Sequence, residues 1–152
     1  MDSLIYEDKA YHDIWLKVVL ALPLAIFFIW GLYLATSEPE TAKGLFFTAV
    51  FIAIILWTIL PRKYCILDSK VKVVLGGSLS FSIPFDTIEI ARIPKGTTVG
   101  INLVTSFSSK NAVQIVRKRR LNVNITPSNR ELFLENLDRT LNRWRSYNTQ
   151  AR

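Results

Sequence analysis

Two long runs without a charged residue constrain this chain more than any other feature of its sequence. They cover residues 18–37 and 44–61. A helix rises about 1.5 Å per residue, so about 20 residues suffice to cross the hydrocarbon core of a bilayer. In a chain of 152 residues, too little other protein remains to bury two such helices in a soluble core. We therefore expect a transmembrane helical hairpin in residues 1–61, with spans at about 16–36 and 44–61.

Charges beside the two runs predict the orientation of the hairpin. The connecting segment 38–43 holds one lysine and two glutamates, whereas the other flanking lysines and arginines lie on the outer sides of the runs. Because basic residues favour the cytoplasmic side, we expect a two-pass protein of the plasma or inner membrane with cytoplasmic N- and C-termini. A cleaved signal peptide is the alternative, which we disfavour because residues 1–17 are net negative.

The part of the chain after the hairpin is strongly basic. Residues 62–152 hold 16 basic and 6 acidic side chains, against 3 and 6 in residues 1–61, and the whole chain has a net charge of +7. The positive-inside rule accounts for part of this excess. We expect no nucleic-acid partner, because a basic β domain beneath a membrane without interleaved aromatic residues is not typical of one.

The composition gives catalysis and metal binding little support. The chain has one cysteine, Cys65, and one histidine, His12. One cysteine cannot form a disulfide framework, and structural zinc usually requires four cysteine or histidine ligands. Neither apolar run contains a charge that could relay protons. We therefore predict that the protein is no enzyme and has no cofactor or metal, and that Cys65 is a half-buried, inert thiol.

Residues 62–126 show the pattern of a β domain. Stretches such as 79–83 and 121–126 alternate apolar and polar residues, as half-buried strands do. Turn-forming residues separate the stretches and no helical pattern interrupts them, so we expect an antiparallel sheet. The seven expected strands are 63–67, 71–75, 79–83, 87–93, 100–104, 112–117 and 121–126.

An amphipathic helix is expected after the strands. Ser128 and Glu131 match the S-x-x-E capping box that opens many helices. The apolar residues that follow recur at helical spacing, so this helix should pack on an open end of a bent sheet. Residues 148–152 then form a tail. The apolar stripe consists of Phe133, Leu137, Leu141 and Trp144.

Three segments carry a resemblance to a known family. Residues 64–68 and 71–73 form two strands across a tight turn, residues 82–88 contain an Ile-Pro-aromatic sequence, and residues 123–134 run from a strand through a proline to a helix cap and Glu-Leu-Phe-Leu. With the preceding hairpin, this layout resembles the bacterial pleckstrin-homology-like (PH-like) domain family of small two-helix membrane proteins.

This resemblance implies an α+β fold. An N-terminal transmembrane helical hairpin would be followed, at residues 62–147, by a strongly bent antiparallel seven-stranded β domain with a C-terminal capping α-helix. It implies no enzymatic activity, and action through self-association as a homo-oligomer or through a protein partner. The turn at residues 68–70 departs from phosphoinositide-binding members, which carry a longer basic loop there.

Four consecutive cations, Arg117, Lys118, Arg119 and Arg120, form the clearest candidate site. They lie between two expected strands, so we expect a hairpin loop that contacts anionic phospholipid or an acidic protein partner. Each cation near an anionic leaflet contributes about 1 kcal/mol of attraction. The alternative, which we favour slightly, is a solvated loop that discourages edge-to-edge aggregation. Phe107 is either an exposed wedge on a loop or, as we favour, a ring folded onto the sheet.

We therefore expect a membrane-anchored, non-enzymatic PH-like binding or scaffolding module on the cytoplasmic face. It would act through protein partners or self-association, with non-specific anionic-lipid contact as a further candidate activity. The alternative is an assembly factor for a membrane protein complex, photosynthetic or respiratory. An enzyme or transporter subunit is disfavoured because both spans lack charges and the chain lacks catalytic groups.

Overall fold

A computed structural model describes residues 3–94, 100–106 and 111–150 of the chain. It confirms the α+β class: two apolar helices, two small sheets and a C-terminal helix. The helices are α1 (Ile14–Leu34), α2 (Pro39–Ile59) and α3 (Arg130–Gln150). The strands are β1 (Leu4–Lys9), β2 (Lys63–Leu67), β3 (Lys70–Val74), β4 (Ser80–Pro84), β5 (Ile88–Arg92), β6 (Ile101–Leu103), β7 (Val113–Arg117) and β8 (Val123–Ile125).

Helices α1 and α2 form the predicted hairpin and are long and apolar enough to cross a membrane. Most of the large apolar side chains of both helices are exposed. Small residues line the contact between them: Gly31, Ala42 and Ala49 are buried. A Cβ on Gly31 would lie 3.0 Å from the Phe46 ring, so glycine permits this close approach.

Strand β1 is the main feature that the sequence analysis missed. It pairs antiparallel with β2, with Lys9 opposite Lys63 and Leu4 opposite Leu67. The helical hairpin is therefore an insertion between two neighbouring strands of one sheet. The β region consists of residues 4–9 together with the expected 62–147, and it has eight described strands rather than seven.

The two sheets have four strands each. The first has the order β1-β2-β3-β4 and is antiparallel throughout. The second has the order β5-β7-β8-β6, and β6 runs parallel to β8, so the expectation of a wholly antiparallel sheet is wrong there. Alternation of residues predicts which face of a strand is buried, but it does not predict the neighbouring strand or its direction.

The core lies between the inner faces of the two sheets and is closed by α3. Phe133, Leu137 and Leu141 of α3 are buried in it, as the helical stripe predicted. Phe133 meets the rings of Tyr6 and Tyr64 edge-on, with centroids 6.3 Å apart in each pair. Burying a side chain of this kind contributes roughly 1.5–3 kcal/mol, so α3 is an integral part of the β region.

The predicted helix cap is off by one residue. Helix α3 begins at Arg130, and the side chain of Asn129 accepts a hydrogen bond from the Leu132 amide at 3.1 Å. The Asn129 amide in turn donates to the carboxylate of Asp8 on β1 at 2.8 Å. Ser128 is held instead through its own amide, which donates to the Lys9 carbonyl. A contact with β1 thus selects the cap.

Candidate functional site

Both helices of the hairpin attach to the same end of the β region. The Ala10 amide donates to the Arg62 carbonyl at 2.9 Å, and the Tyr11 amide donates to the Thr126 carbonyl at 2.9 Å. The Asp13 amide, at the start of α1, donates to the Thr105 carbonyl at 3.1 Å. The start of α1 is therefore joined to the ends of β6 and β8. We call this the helix-proximal end.

The end of α2 packs on the same end of the β region. The turn between β3 and β4 lies so close to it that a Cβ on Gly76 would be 1.7 Å from the Trp57 carbonyl oxygen. The Arg62 guanidinium also lies over the Trp57 ring, 4.4 Å from its centroid. These contacts leave the β region little freedom to move relative to the hairpin.

The basic loop lies at the opposite end of the β region. Strands β7 and β8 are antiparallel, with Val113 opposite Ile125, so the connection between them is at the far end from Thr126. A strand rises about 3.3 Å per residue, which places Arg119 roughly 20 Å from Thr126. We call this the helix-distal end.

Arg117 is not part of that loop, which corrects the four-cation prediction. It is the last residue of β7 and is 8% exposed. Its Nε donates to the Thr87 hydroxyl at 3.5 Å, and its amide donates to the Asn122 side chain at 3.3 Å. Burial lowers the pKa of Arg117, and the nearby charge of Arg120 lowers it further. The sequence could not show this, because burial at a strand end depends on residues far away in the chain.

Three cations remain exposed in the loop: Lys118, Arg119 and Arg120. The backbone holds them in place, since the Lys118 amide donates to the Thr87 carbonyl at 2.7 Å. Arg119 has a φ of 54°, in the left-handed region that non-glycine residues rarely adopt. The loop therefore presents three charges from a defined turn.

A cavity of about 670 Å³ opens beside this loop. Its apolar lining consists of the half-buried Trp144 and of Phe85 and Ile88, which are each 1% exposed. The rings of Phe85 and Trp144 meet edge-on with centroids 6.1 Å apart. Its rim carries polar and charged side chains of both signs. We call this cavity the distal groove; its rim consists of Asp86, Lys118, Arg145, Asn148 and Thr149.

Arg145 fixes the wall of the groove. Its guanidinium donates to the backbone carbonyls of Ile88 at 3.1 Å and Glu89 at 2.7 Å. This joins the second half of α3 to the edge of β5. The helical stripe predicted that Trp144 packs on the core, but no pattern in the sequence indicates the groove, because its walls come from three separate segments of the chain.

A second polar surface covers the outer face of the first sheet. Lys63 pairs with Glu7 at 3.0 Å, and the Cys65 thiol donates to the same carboxylate at 3.6 Å. Cys65 is buried, and burial, followed by the neighbouring Glu7, raises the pKa of its thiol. A thiol with a raised pKa is a poor nucleophile at neutral pH, which accords with the prediction for Cys65.

The remaining points from the sequence concern His12, metal ligands and Phe107. His12 contacts the Ala10 carbonyl through Nδ1 at 3.0 Å, at the start of the hairpin. Within residues 3–94, 100–106 and 111–150, no three His, Cys, Asp or Glu side chains are grouped as metal ligands. Phe107 lies outside the described residues.

No protein family, curated protein or solved structure matches this chain. Its function therefore has to be argued from the two ends of the β region. The helix-proximal end is occupied by the hairpin, whereas the helix-distal end presents an open groove beside three exposed cations.

Proposed function

We propose that this chain is a membrane-anchored, non-enzymatic binding module that takes an acidic segment of a protein partner at its helix-distal end. The observation that carries the proposal is the distal groove, in which the half-buried Trp144 packs on the buried Phe85 and the cations of residues 118–120 lie beside it. The hairpin anchors the module, and the β region projects from one side of the membrane.

The shape and chemistry of the groove support a binding role. Its volume falls within the range of about 300–1,000 Å³ that is typical of ligand sites. Ligand sites are commonly lined by aromatic side chains, as this groove is by Trp144. Lys118 on the rim and Arg119 and Arg120 in the loop can pair with carboxylates, and Asp86 restricts where these carboxylates sit.

The position of the groove favours a protein over the chain's own membrane. With the hairpin in a bilayer, the helix-proximal end faces the headgroups and the loop lies roughly 20 Å beyond it. Charges in solution are screened over about 8 Å at physiological ionic strength. The field of an anionic leaflet is therefore weak at the loop, so lipid contact is the less favoured use of Lys118, Arg119 and Arg120.

A PH-like domain on the cytoplasmic face is part of this proposal. Residues 62–147 contain seven described strands in two sheets and a helix that closes the core, which supports a PH-like arrangement. The parallel pairing of β6 with β8 departs from a purely antiparallel version. The lysines and arginines flanking the hairpin support a cytoplasmic β region and cytoplasmic termini.

The test is site-specific photo-crosslinking of the full chain in the membranes of its own cells. A photo-reactive amino acid at Asn148, on the groove rim, should give a discrete adduct with a protein. The adduct should be lost in the charge-reversed K118E/R119E/R120E variant. When the photo-reactive residue is placed at Thr149 instead, the adduct should also be lost in the Asn148→Trp variant, in which tryptophan fills the groove. It should persist in the charge-conserving K118R/R119K/R120K variant.

Two results would count against the proposal. An adduct of equal yield in the charge-reversed variant would show that these cations do not recognise the partner. The second contrary result is a parent chain that, in neutral nanodiscs, captures added phosphatidylglycerol vesicles, while the K118E/R119E/R120E variant does not capture them. That result would replace the acidic protein with a lipid surface.

A further inference from the structure

In the part of the chain that the structure describes, strand β4 has an open edge, unlike the other strands at the edges of the two sheets. On β1, charged side chains interrupt the edge, and the Lys9 carbonyl accepts from the Ser128 amide. On β5, Arg145 covers the carbonyls of Ile88 and Glu89. Strand β6 has only three residues. Strand β4 has five residues, carries no charge and, within residues 3–94, 100–106 and 111–150, pairs only with β3.

Hydrogen-bond geometry shows which groups of β4 face outward. The Leu75 amide donates to the Leu79 carbonyl at 3.0 Å, and antiparallel pairs alternate between bonded and non-bonded. Counting along the register, Phe81 is bonded to Val73, whereas Ser80 and Ser82 lie in non-bonded pairs. The amide and carbonyl groups of Ser80 and Ser82 therefore point away from β3, and no described residue bonds to them.

The two sides of this edge differ in chemistry. On the outer face of the sheet, Lys72 lies directly opposite Ser82, and Lys70 lies opposite Pro84. Both lysines line a cavity of about 570 Å³ on this face, together with Lys63 and Glu7. On the inner side, Phe81 packs against the apolar core. Because side chains alternate along a strand, an added strand would present one set of side chains to the lysines and the other beside Phe81.

We infer that the edge of β4 is a strand-addition site for an extended segment of a partner protein with alternating acidic and apolar residues. The outward groups of Ser80 and Ser82 bind its backbone, as in other cases of strand addition. Acidic side chains of the segment lie near Lys72, and apolar ones lie near Phe81. This site is separate from the distal groove and does not depend on the function proposed for it.

A second copy of this chain is a poorer occupant. Two β4 strands pairing antiparallel are related by a two-fold axis perpendicular to the strands. Strand β4 runs from the turn at Gly76, at the helix-proximal end, toward Phe85 at the helix-distal end. Such a dimer would point its two hairpins in opposite directions, so both could not enter the same membrane.

The test uses the full chain in neutral nanodiscs and a fluorescent synthetic peptide of alternating glutamate and valine. Anisotropy should show saturable binding, and a lysine–valine peptide should bind at least about tenfold more weakly. Ser82→Pro removes one outward amide without removing a bond to β3, which edge strands tolerate. It should weaken binding of the glutamate–valine peptide by about tenfold or more, whereas Ser82→Ala should not.

Two further measurements separate this site from the groove and from self-association. The K118E/R119E/R120E variant should bind the peptide as the parent does. In hydrogen exchange, the Ser80 and Ser82 amides should exchange rapidly in the free protein and become protected when the peptide binds.

Three outcomes would overturn the inference. The first is a parent protein that does not bind the peptide, or a Ser82→Pro variant that binds it equally well. The second is binding lost only in K118E/R119E/R120E, which would assign the peptide to the distal groove. The third is protection of these amides in the free protein that increases with protein concentration, which would assign the edge to a second copy of the chain.

Discussion

Gly76 joins the hairpin to the β region at the scale of a single residue. A Cβ at this position would lie 1.7 Å from the Trp57 carbonyl oxygen and 2.9 Å from the Thr58 Cα. These are backbone atoms, so the clash cannot be relieved by turning a side chain. Only glycine permits the turn between β3 and β4 to rest directly on the end of α2.

Replacing Gly76 by alanine should therefore destabilise the protein. We expect Gly76→Ala to lower the free energy of unfolding by about 1–3 kcal/mol or more, as overpacking does. Thermal unfolding in detergent would measure this as a lower Tm. Gly44→Ala is the matched control, because nothing lies within 4 Å of its Cβ position and alanine favours a helix. Equal Tm values for the Gly76→Ala variant and the parent would contradict the close contact.

The cap of α3 gives a second prediction at this scale. Asn129→Ala should cost about 1 kcal/mol, because the Leu132 amide loses its acceptor. Ser128→Ala should change stability by less than about 0.5 kcal/mol, because only the Ser128 backbone is engaged. Chemical denaturation of both variants would decide, and the reverse order would restore the capping box inferred from the sequence.

These residues show where prediction from sequence ends. The S-x-x-E pattern located the start of α3 to within one residue, but Asp8, 121 positions away, determines which residue caps it. The run of four cations was visible in the sequence, yet the burial of Arg117 against Thr87 was not. In both cases, the deciding contact comes from a segment that is distant along the chain.

Among the elements, β1 has the greatest effect on how the β region can be isolated. It pairs with β2, places Tyr6 against Phe133 and supplies Asp8 to the cap of α3. A fragment of residues 62–152 lacks all three contacts. It exposes the edge of β2 and part of the core.

We therefore expect residues 62–152 alone to be poorly folded or to aggregate. A chain in which a short Gly- and Ser-rich loop replaces residues 14–61 should instead be soluble and unfold cooperatively. Such a loop is feasible because the Ala10 amide is 2.9 Å from the Arg62 carbonyl. Circular dichroism melts of the two proteins would compare them. A fragment that melts at the same temperature as the grafted chain would show that β1 is dispensable.

Local pattern predicted most elements but not their partners. Alternating residues located strands within 62–126, and apolar runs located both helices, although α2 begins at Pro39 rather than at residue 44. Hydropathy marks the apolar part of a helix, and Glu40 and Lys43 form an ion pair in its polar first turn. Strand β1 was missed because its sequence, LIYEDK, has three apolar residues followed by three charged ones and so lacks the alternation that marks a half-buried strand.

The whole molecule gives a prediction about topology. Pairing of Lys9 with Lys63 requires the two ends of the hairpin to lie on the same side of the membrane, and the turn after α1 to lie on the other. In a Cys65→Ser background, Ser37→Cys should react with a membrane-impermeant maleimide in intact cells. Ser146→Cys should react only after the cells are permeabilised.

Labelling of both cysteines in intact cells would contradict two membrane crossings. Labelling of Ser146→Cys alone would invert the orientation, and the distal groove would then face the outside of the cell. Each result is distinguishable, because the two positions lie on opposite sides of the proposed bilayer and neither is buried.

The insertion of the hairpin between β1 and β2 delays closure of the first sheet until the whole hairpin has been synthesised. Ser3 bonds to Asp68, 65 positions later, and at 5–20 residues per second a ribosome needs about 3–13 s to make the intervening chain. During this delay β2, the strand that pairs with β1, has not yet been made. The edge of β1 that pairs with β2 and the Tyr6 ring therefore stay uncovered until β2 and Phe133 of α3 have been made.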